Sequence, residues 1–157
     1  MSTGKINVHQ ASDAFAEALA THEQAFGSFF LAKLLGLDIS YDDECCTVRF
    51  EVRDFMFNPQ GSLHGGITAL VMDVSMGHLL AHLSGPGATL EMKTQYLKGI
   101  TSGQVRAEGR LLKRGASVCF LESRLFDASG ELAAFSSATW KLLRPRPPAV
   151  SALPSHE

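Results

Sequence analysis

The chain has 157 residues, 45% of them hydrophobic, and a formal net charge of -2 at pH 7. That length and apolar content fit one domain with a substantial core and leave little room for two. The near-neutral charge, without a long basic or acidic run, argues against a nucleic-acid partner.

The opening sequence, MSTGKINVHQ, lacks the apolar core of a signal peptide. No uninterrupted apolar stretch in the chain reaches the roughly 18 to 20 residues that a membrane-spanning helix needs. We therefore expect a cytoplasmic protein without a membrane partner.

The first predicted elements are helical. Residues 12–35 are rich in Ala, Leu and Phe and predict one or two helices, with Ser12 and Asp13 capping the start and Gly36 ending the segment. Residues 47–52 (TVRFEV) then alternate apolar and polar side chains, which is the period of a half-buried strand. A strand is therefore expected to follow the helical segment.

The three cysteines are Cys45, Cys46 and Cys119. They lack the two-residue spacing of a zinc knuckle or a redox pair. Free cysteine is commonly buried as a small apolar residue. We expect reduced thiols within strands, with no metal site and no cofactor.

A long apolar segment over residues 65–83 predicts a second helical region, ended by Gly-Pro-Gly. Four alternating runs predict an antiparallel meander over residues 88–98, 104–113, 117–126 and 131–143. The predicted architecture is α+β, with a curved antiparallel sheet over one long helix. Residues 144–157 hold four prolines and predict a disordered tail, so a single domain is expected over residues 1–143.

One acid interrupts the predicted long helix. At about 100° per residue, Thr68, Ser75, His78 and His82 form a narrow polar stripe, and Asp73 lies on the opposite, apolar side. A carboxylate in such surroundings is either the partner of a buried polar group or a functional group whose pKa has been raised by burial. The helix alone leaves both readings open.

The loop before this helix favours the functional reading. It contains Asn58, Gly61, His64, Gly65 and Gly66. Glycines at a helix start let a ligand approach main-chain N–H groups that have no partner within the helix. Such a terminus attracts negative charge and suits the oxyanion of an acyl transfer.

These residues also form a known signature, in which Asn and Gly precede His-Gly-Gly and an acid follows nine residues after the His. In this motif the chain resembles the hotdog-fold acyl-CoA thioesterases, specifically the PaaI-like group of the 4-hydroxybenzoyl-CoA thioesterase superfamily. The likeness spans roughly residues 22–143. It implies a long central helix wrapped by a curved antiparallel sheet of five or six strands.

The resemblance also implies roles for individual residues. Asp73 matches the general base or nucleophile, and Gly65 the backbone N–H that polarises the thioester carbonyl. Asn58 matches a residue that positions the thioester or water, His64 the neighbouring motif histidine, and Thr89 a residue that holds the attacking water. The positions expected to contact substrate are Gly61, Gly66 and Phe57.

The implied activity is hydrolysis of acyl-CoA to a free acid and CoA, with no cofactor. The resemblance implies a homodimer whose sheets join edge to edge, with active sites at the interface, and a further dimer of dimers. An acyl-CoA sensor of the same fold is the alternative; it would keep the pocket and lose the base, whereas Asp73 is present.

Other chemistries fit less well. A Ser-His-Asp hydrolase would need a G-x-S-x-G elbow, whereas Ser62 lies in a turn. His78 and His82 have the spacing of metal ligands but no acid beside them, so they are expected to be hydrogen-bonded or solvated. The Asn-to-Asp spacing argues against a hydratase.

The acyl group is not fixed by the sequence. Aromatic and apolar residues that would line an acyl pocket or simply pack in the core are Phe26, Phe29, Phe30, Phe55, Met56 and Phe57. Lys98, Lys113 and Arg114 are candidate contacts for the CoA phosphates, although lone surface cations are usually just solvated.

Overall fold

A six-stranded antiparallel sheet wraps around one long helix. The computed structural model describes residues 6–143, so the predicted tail lies outside the described residues. The helices are α1 (Val8–Thr21), α2 (Phe30–Leu35) and α3 (Gly65–Ser84); the strands are β1 (Asp38–Tyr41), β2 (Cys45–Glu51), β3 (Gly87–Tyr96), β4 (Gln104–Arg114), β5 (Val118–Phe126) and β6 (Leu132–Leu142). The predicted α+β architecture is confirmed.

The strands lie in the order β1-β2-β4-β5-β6-β3. The sequence predicted β2 to β6, but not the four-residue β1, which is too short to show an alternating pattern. β3 pairs only with β6, so its other edge is open within the described residues. This edge is ten residues long and becomes important for the site.

The N-terminal segment differs from its prediction in where it begins. α1 starts at Val8, and the side chain of Asn7 accepts a hydrogen bond from the Gln10 N–H. Ser12 and Asp13 lie inside the helix, so the predicted cap is wrong; Asn7 is an equally good capping residue five positions earlier. Gly36 ends α2 in the left-handed conformation, with φ 65°, as its position predicted.

α3 packs closely on β4. A Cβ at Gly109 would lie 2.4 Å from the carbonyl oxygen of Ser75, so only glycine fits beneath the helix there. Ser75 Oγ donates to the carbonyl of Met72 at 2.7 Å and lies 2.8 Å from Ser123 Oγ. These contacts satisfy the buried hydroxyls inside an otherwise apolar core.

Three of the four residues of the polar stripe of α3 face inward, whereas His82 is exposed. Thr68, Ser75 and His78 are all at most 5% exposed, while Asp73 is half-buried on the other side of the helix. By length and composition alone, α3 is long and apolar enough to cross a membrane. A search for uninterrupted apolar runs misses this property of the helix because Asp73 interrupts its apolar run. In this fold α3 contacts β2, β3, β4, β5 and β6 as the core helix.

Candidate active site

Asp73 lies near the middle of α3, beside the start of β3. Thr89 Oγ1 donates a hydrogen bond to Asp73 Oδ1 at 2.9 Å. Burial raises the pKa of the Asp73 carboxyl, and the Thr89 hydrogen bond lowers it by a smaller amount. Desolvation disfavours the charged form, whereas a donor to the carboxylate favours it. The result is a carboxylate with one oxygen, Oδ2, that makes no hydrogen bond within residues 6–143.

The start of α3 presents an open amide. His64 is the N-cap residue, and its Nδ1 accepts a hydrogen bond from the Gly66 N–H at 2.9 Å. The His64 carbonyl accepts from Ile67 and Thr68. Among the described residues, the Gly65 N–H has no hydrogen-bond partner. His64 therefore shapes the helix terminus, and the Gly65 N–H is the donor available to a ligand.

Asn58 holds the turn that leads to this terminus. Its Oδ1 accepts from the N–H groups of Gln60 and Ser62, at 2.9 and 3.2 Å, and its Nδ2 donates to Ser62 Oγ at 3.0 Å. Gly61 takes a left-handed φ of 81° in the same turn. Asn58 is thus engaged with its own loop and retains one amide hydrogen for a ligand; its predicted contact with substrate stays a prediction.

Tyr96 is a site residue that the sequence analysis missed. Its hydroxyl donates to the carbonyl of Gly65 at 3.0 Å. Its ring occupies the space next to Gly65, where a Cβ would lie 3.3 Å from Tyr96 Cε1. The contact depends on how the end of β3 lies over the start of α3, and no local sequence signal reports that arrangement.

Two cavities divide three of the predicted site residues, because Asn58 and Gly65 line one cavity and Asp73 lines the other, while His64 and Thr89 line neither. The glycine cavity, about 300 Å³, is lined by Asn58, Ser62, Leu63, Gly65, Thr68, Tyr96, Leu97, Lys98, Gly99, Ile100, Leu125, Ala133 and Ala134. The acid cavity, about 320 Å³, is lined by Gln24, Ala25, Phe26, Phe29, Asp73, Val74, Gly77, His78, Gly87 and Trp140. No residue belongs to both.

The remaining predicted residues are placed as follows. Phe57, Gly61 and Gly66 line neither cavity, and Phe57 packs against the core. Phe26 and Phe29 line the acid cavity, whereas Phe30 packs edge-on against Phe15. The three cysteines are free and buried.

Of the basic candidates for the CoA phosphates, Lys98 is already paired. It forms ion pairs with Asp127 and Glu131. Within residues 6–143 neither Lys113 nor Arg114 forms an ion pair.

The chain is similar in sequence and in fold to known proteins. The sequence model of the thioesterase superfamily matches residues 60–134, which include the helix terminus, Asp73 and Thr89. A protein of Saccharolobus solfataricus that carries the provisional name of an esterase is 35% identical over 88 residues, covering 54% of this chain. The match spans 61% of that relative's own length.

Solved structures share the fold. A Bacillus halodurans protein crystallised with CoA aligns with a TM-score of 0.80 at 23% identity, covering 92% of this chain and 99% of its own. A thioesterase of Haemophilus influenzae aligns with a TM-score of 0.65 at 19% identity, covering 68% and 78%. These matches show that the chain has the hotdog fold of solved thioesterases, and that residues 60–134 are similar to the thioesterase superfamily.

Proposed function

We propose that the protein hydrolyses acyl-CoA thioesters at a site formed by two copies of the chain. The observation that carries the proposal is Asp73, a half-buried carboxylate in a largely apolar cavity, which makes one hydrogen bond within residues 6–143. Burial raises its pKa towards the range that suits a general base. The similarity of residues 60–134 to the thioesterase superfamily, and the CoA in the crystal structure of the Bacillus halodurans protein, support the reaction class.

A second copy is needed because Asp73 and the Gly65 N–H lie on one helix. Eight residues of α3 separate them by about 12 Å along the axis. One thioester carbonyl has to lie about 3 Å from its donor and from its attacking group, so the two groups of one copy do not serve the same carbonyl.

The open edge of β3 supports a particular dimer. A long unpaired edge strand is a template for pairing with another chain. Leu90 and Tyr96 on this strand are 58% and 56% exposed. We propose that β3 strands of two copies pair antiparallel, so that Gly65 of one copy faces Asp73 of the other. The arrangement does not require the further dimer of dimers that the resemblance implies.

In the proposed reaction, the thioester oxygen accepts a hydrogen bond from the Gly65 N–H, and the α3 dipole favours the charge that develops there. Asp73 takes a proton from water, the hydroxide adds to the carbonyl carbon, and the tetrahedral intermediate expels the CoA thiolate. Alternatively, Asp73 attacks the carbonyl carbon and the C–S bond breaks to release the CoA thiolate; water then hydrolyses the resulting mixed anhydride to the free acid and the Asp73 carboxylate. Both routes yield the free acid and CoA.

The test is Asp73→Asn, assayed by thiol release from a panel of acyl-CoAs. We expect kcat to fall by about 10²- to 10⁴-fold, the usual contribution of a positioned base, with KM little changed. Asn can still accept the Thr89 hydrogen bond. Because the raised pKa means that the ionised carboxylate is disfavoured by the fold, the variant is expected to be at least as stable as the native protein at pH 7.

Asp13→Asn is the matched control, since Asp13 is exposed on α1 and should retain full activity. Normal turnover in folded Asp73→Asn would refute the role of Asp73. Binding of acyl-CoA to the native protein without any thiol release would instead favour the sensor.

A further inference from the structure

Besides Asp73, three residues with polar side-chain atoms line the acid cavity: Gln24, His78 and Trp140. Gly77 lies between Asp73 and His78 on α3 and, having no side chain, lets the Trp140 ring pack directly against the helix; a Cβ there would lie 2.6 Å from Trp140 Cη2. Asp73, Gly77 and His78 all line the cavity. The Cα atoms of Asp73 and His78 are separated by about 7.5 Å along the helix axis.

His78 is held firmly and is almost completely buried. It is 5% exposed, its Nδ1 lies 2.7 Å from the Tyr41 hydroxyl, and Phe26 packs edge-on against its ring, with centroids 4.9 Å apart. Burial lowers the pKa of His78, which favours the neutral ring.

The Tyr41 contact fixes the tautomer. A phenol is the better donor and an imidazole nitrogen the better acceptor, so the Tyr41 O–H donates to Nδ1 and the ring proton of neutral His78 sits on Nε2. Nε2 makes no hydrogen bond with residues 6–143 and is not among their fully enclosed unpaired polar atoms. His78 therefore offers an unused donor in the wall of the acid cavity.

We propose that His78, oriented by Tyr41, is a specificity-determining residue that donates from Nε2 to an oxygen atom in the acyl group of the substrate. This inference rests on the proposed function. When the thioester carbonyl lies at Asp73, the oxygen atom that accepts from Nε2 lies further along the acyl group. It is separated from the carbonyl by about the length of one short chain or one ring. The substrate class is then an acyl-CoA with a keto or hydroxyl oxygen near its far end.

A purely structural His78 would explain the Tyr41 contact but not the second nitrogen. Nε2 has no hydrogen-bond partner among residues 6–143, and the large residues that line the cavity with it, Phe26, Phe29 and Trp140, are aromatic. Pockets of this kind use a few polar groups to choose among ligands of similar size. A plain acyl chain of the same length would leave Nε2 unpaired, which is the basis of discrimination.

The experiment compares hexanoyl-CoA with its analogue bearing a ketone next to the terminal methyl group. The native protein is expected to prefer the ketone in kcat/KM by about tenfold, the worth of one hydrogen bond of about 1.4 kcal/mol. His78→Leu should abolish that preference while still hydrolysing hexanoyl-CoA. His78→Gln, which keeps an N–H donor at a similar distance, should restore part of it, and Tyr41→Phe should weaken it.

His82→Leu is the matched control. Its ring stacks on the same Tyr41, with centroids 5.0 Å apart, but does not line the cavity, so the preference should survive. If His78→Leu does not fold, Tyr41→Phe and His78→Gln still decide the question. The inference is overturned if the native protein hydrolyses both substrates with equal kcat/KM, or if these variants keep the native preference. In either case the proposed function still stands. Absence of thiol release from every acyl-CoA overturns the proposed function and this inference together.

Discussion

At the scale of the residue, Thr89 and Asp73 are joined by a 2.9 Å hydrogen bond. The resemblance assigned Thr89 to the attacking water, but its hydroxyl here donates to the carboxylate. Thr89 can donate to Asp73 and also accept a hydrogen bond from the water, since a hydroxyl has one proton and two lone pairs. Its immediate physical effect is to favour ionised Asp73, opposing the larger effect of burial.

This pair predicts a pH dependence. A general base acts only when deprotonated, so kcat/KM should fall as pH drops through the raised pKa of Asp73. Thr89→Val removes a donor to the charged form, so that pKa rises further and the acidic limb of the pH–rate profile moves to higher pH. Thr89→Ser keeps the hydroxyl and should leave the limb near its native position. A limb that stays fixed or moves to lower pH in Thr89→Val would contradict the assignment.

At the scale of the element, the close packing of α3 on β4 depends on Gly109. A Cβ there would meet the Ser75 carbonyl oxygen at 2.4 Å and the Met76 amide nitrogen at 2.9 Å. Both are backbone atoms of the core helix, which do not move as a side chain would. Gly109→Ala should therefore destabilise the fold by about 1–3 kcal/mol, or about 3–10 °C in Tm for a domain of this size.

Gly99→Ala serves as the control in thermal unfolding. Its added Cβ would lie 3.7 Å from Ser62 Cβ, an ordinary contact, so Tm should change little. Equal Tm values for the two variants would mean that α3 and β4 are not packed as closely as described.

Sequence reasoning succeeded for elements with a clear period and failed where contacts depend on distant chain segments. The long apolar run of α3 and the alternating strands β2 to β6 were predictable because their periods are local. β1 has only four residues, and the α1 cap had two plausible positions. Asp73 and Gly65 were found through the motif, whereas Tyr96 over Gly65, and Tyr41 against His78, depend on register and helix placement that the local sequence does not encode.

At the scale of the whole molecule, each proposed site is formed by two copies of the chain. Each copy contributes one half to each of the two sites in the dimer. The glycine cavity supplies the oxyanion donor and the acid cavity supplies the base, with no shared lining residue. In a two-fold dimer, damage to different halves in the two subunits leaves one site intact. This property separates a shared site from one formed within a single chain.

The variant for the first half is Gly65→Pro. Gly65 is the first residue of α3, where proline is tolerated, and His64 before it has φ -62° and ψ 131°, which a following proline accepts. The substitution therefore deletes the proposed oxyanion donor while preserving the helix. Gly65→Ala keeps the N–H and adds the same Cβ near Tyr96, so it controls for crowding at the 3.3 Å contact.

The test co-expresses two subunits with different tags, one carrying Gly65→Pro and the other Asp73→Asn, and purifies the mixed dimer. We expect the mixed dimer to regain about half of the native activity. The reason is that one of its two symmetric sites combines a native Gly65 with a native Asp73. Each variant alone should be nearly inactive, since every site in those dimers lacks either the donor or the base. If Gly65 and Asp73 of the same chain served one site, every site in the mixed dimer would be defective and no activity would return. Recovery of activity in the mixed dimer therefore requires that Gly65 of one subunit and Asp73 of the other form one site across the β3 edge.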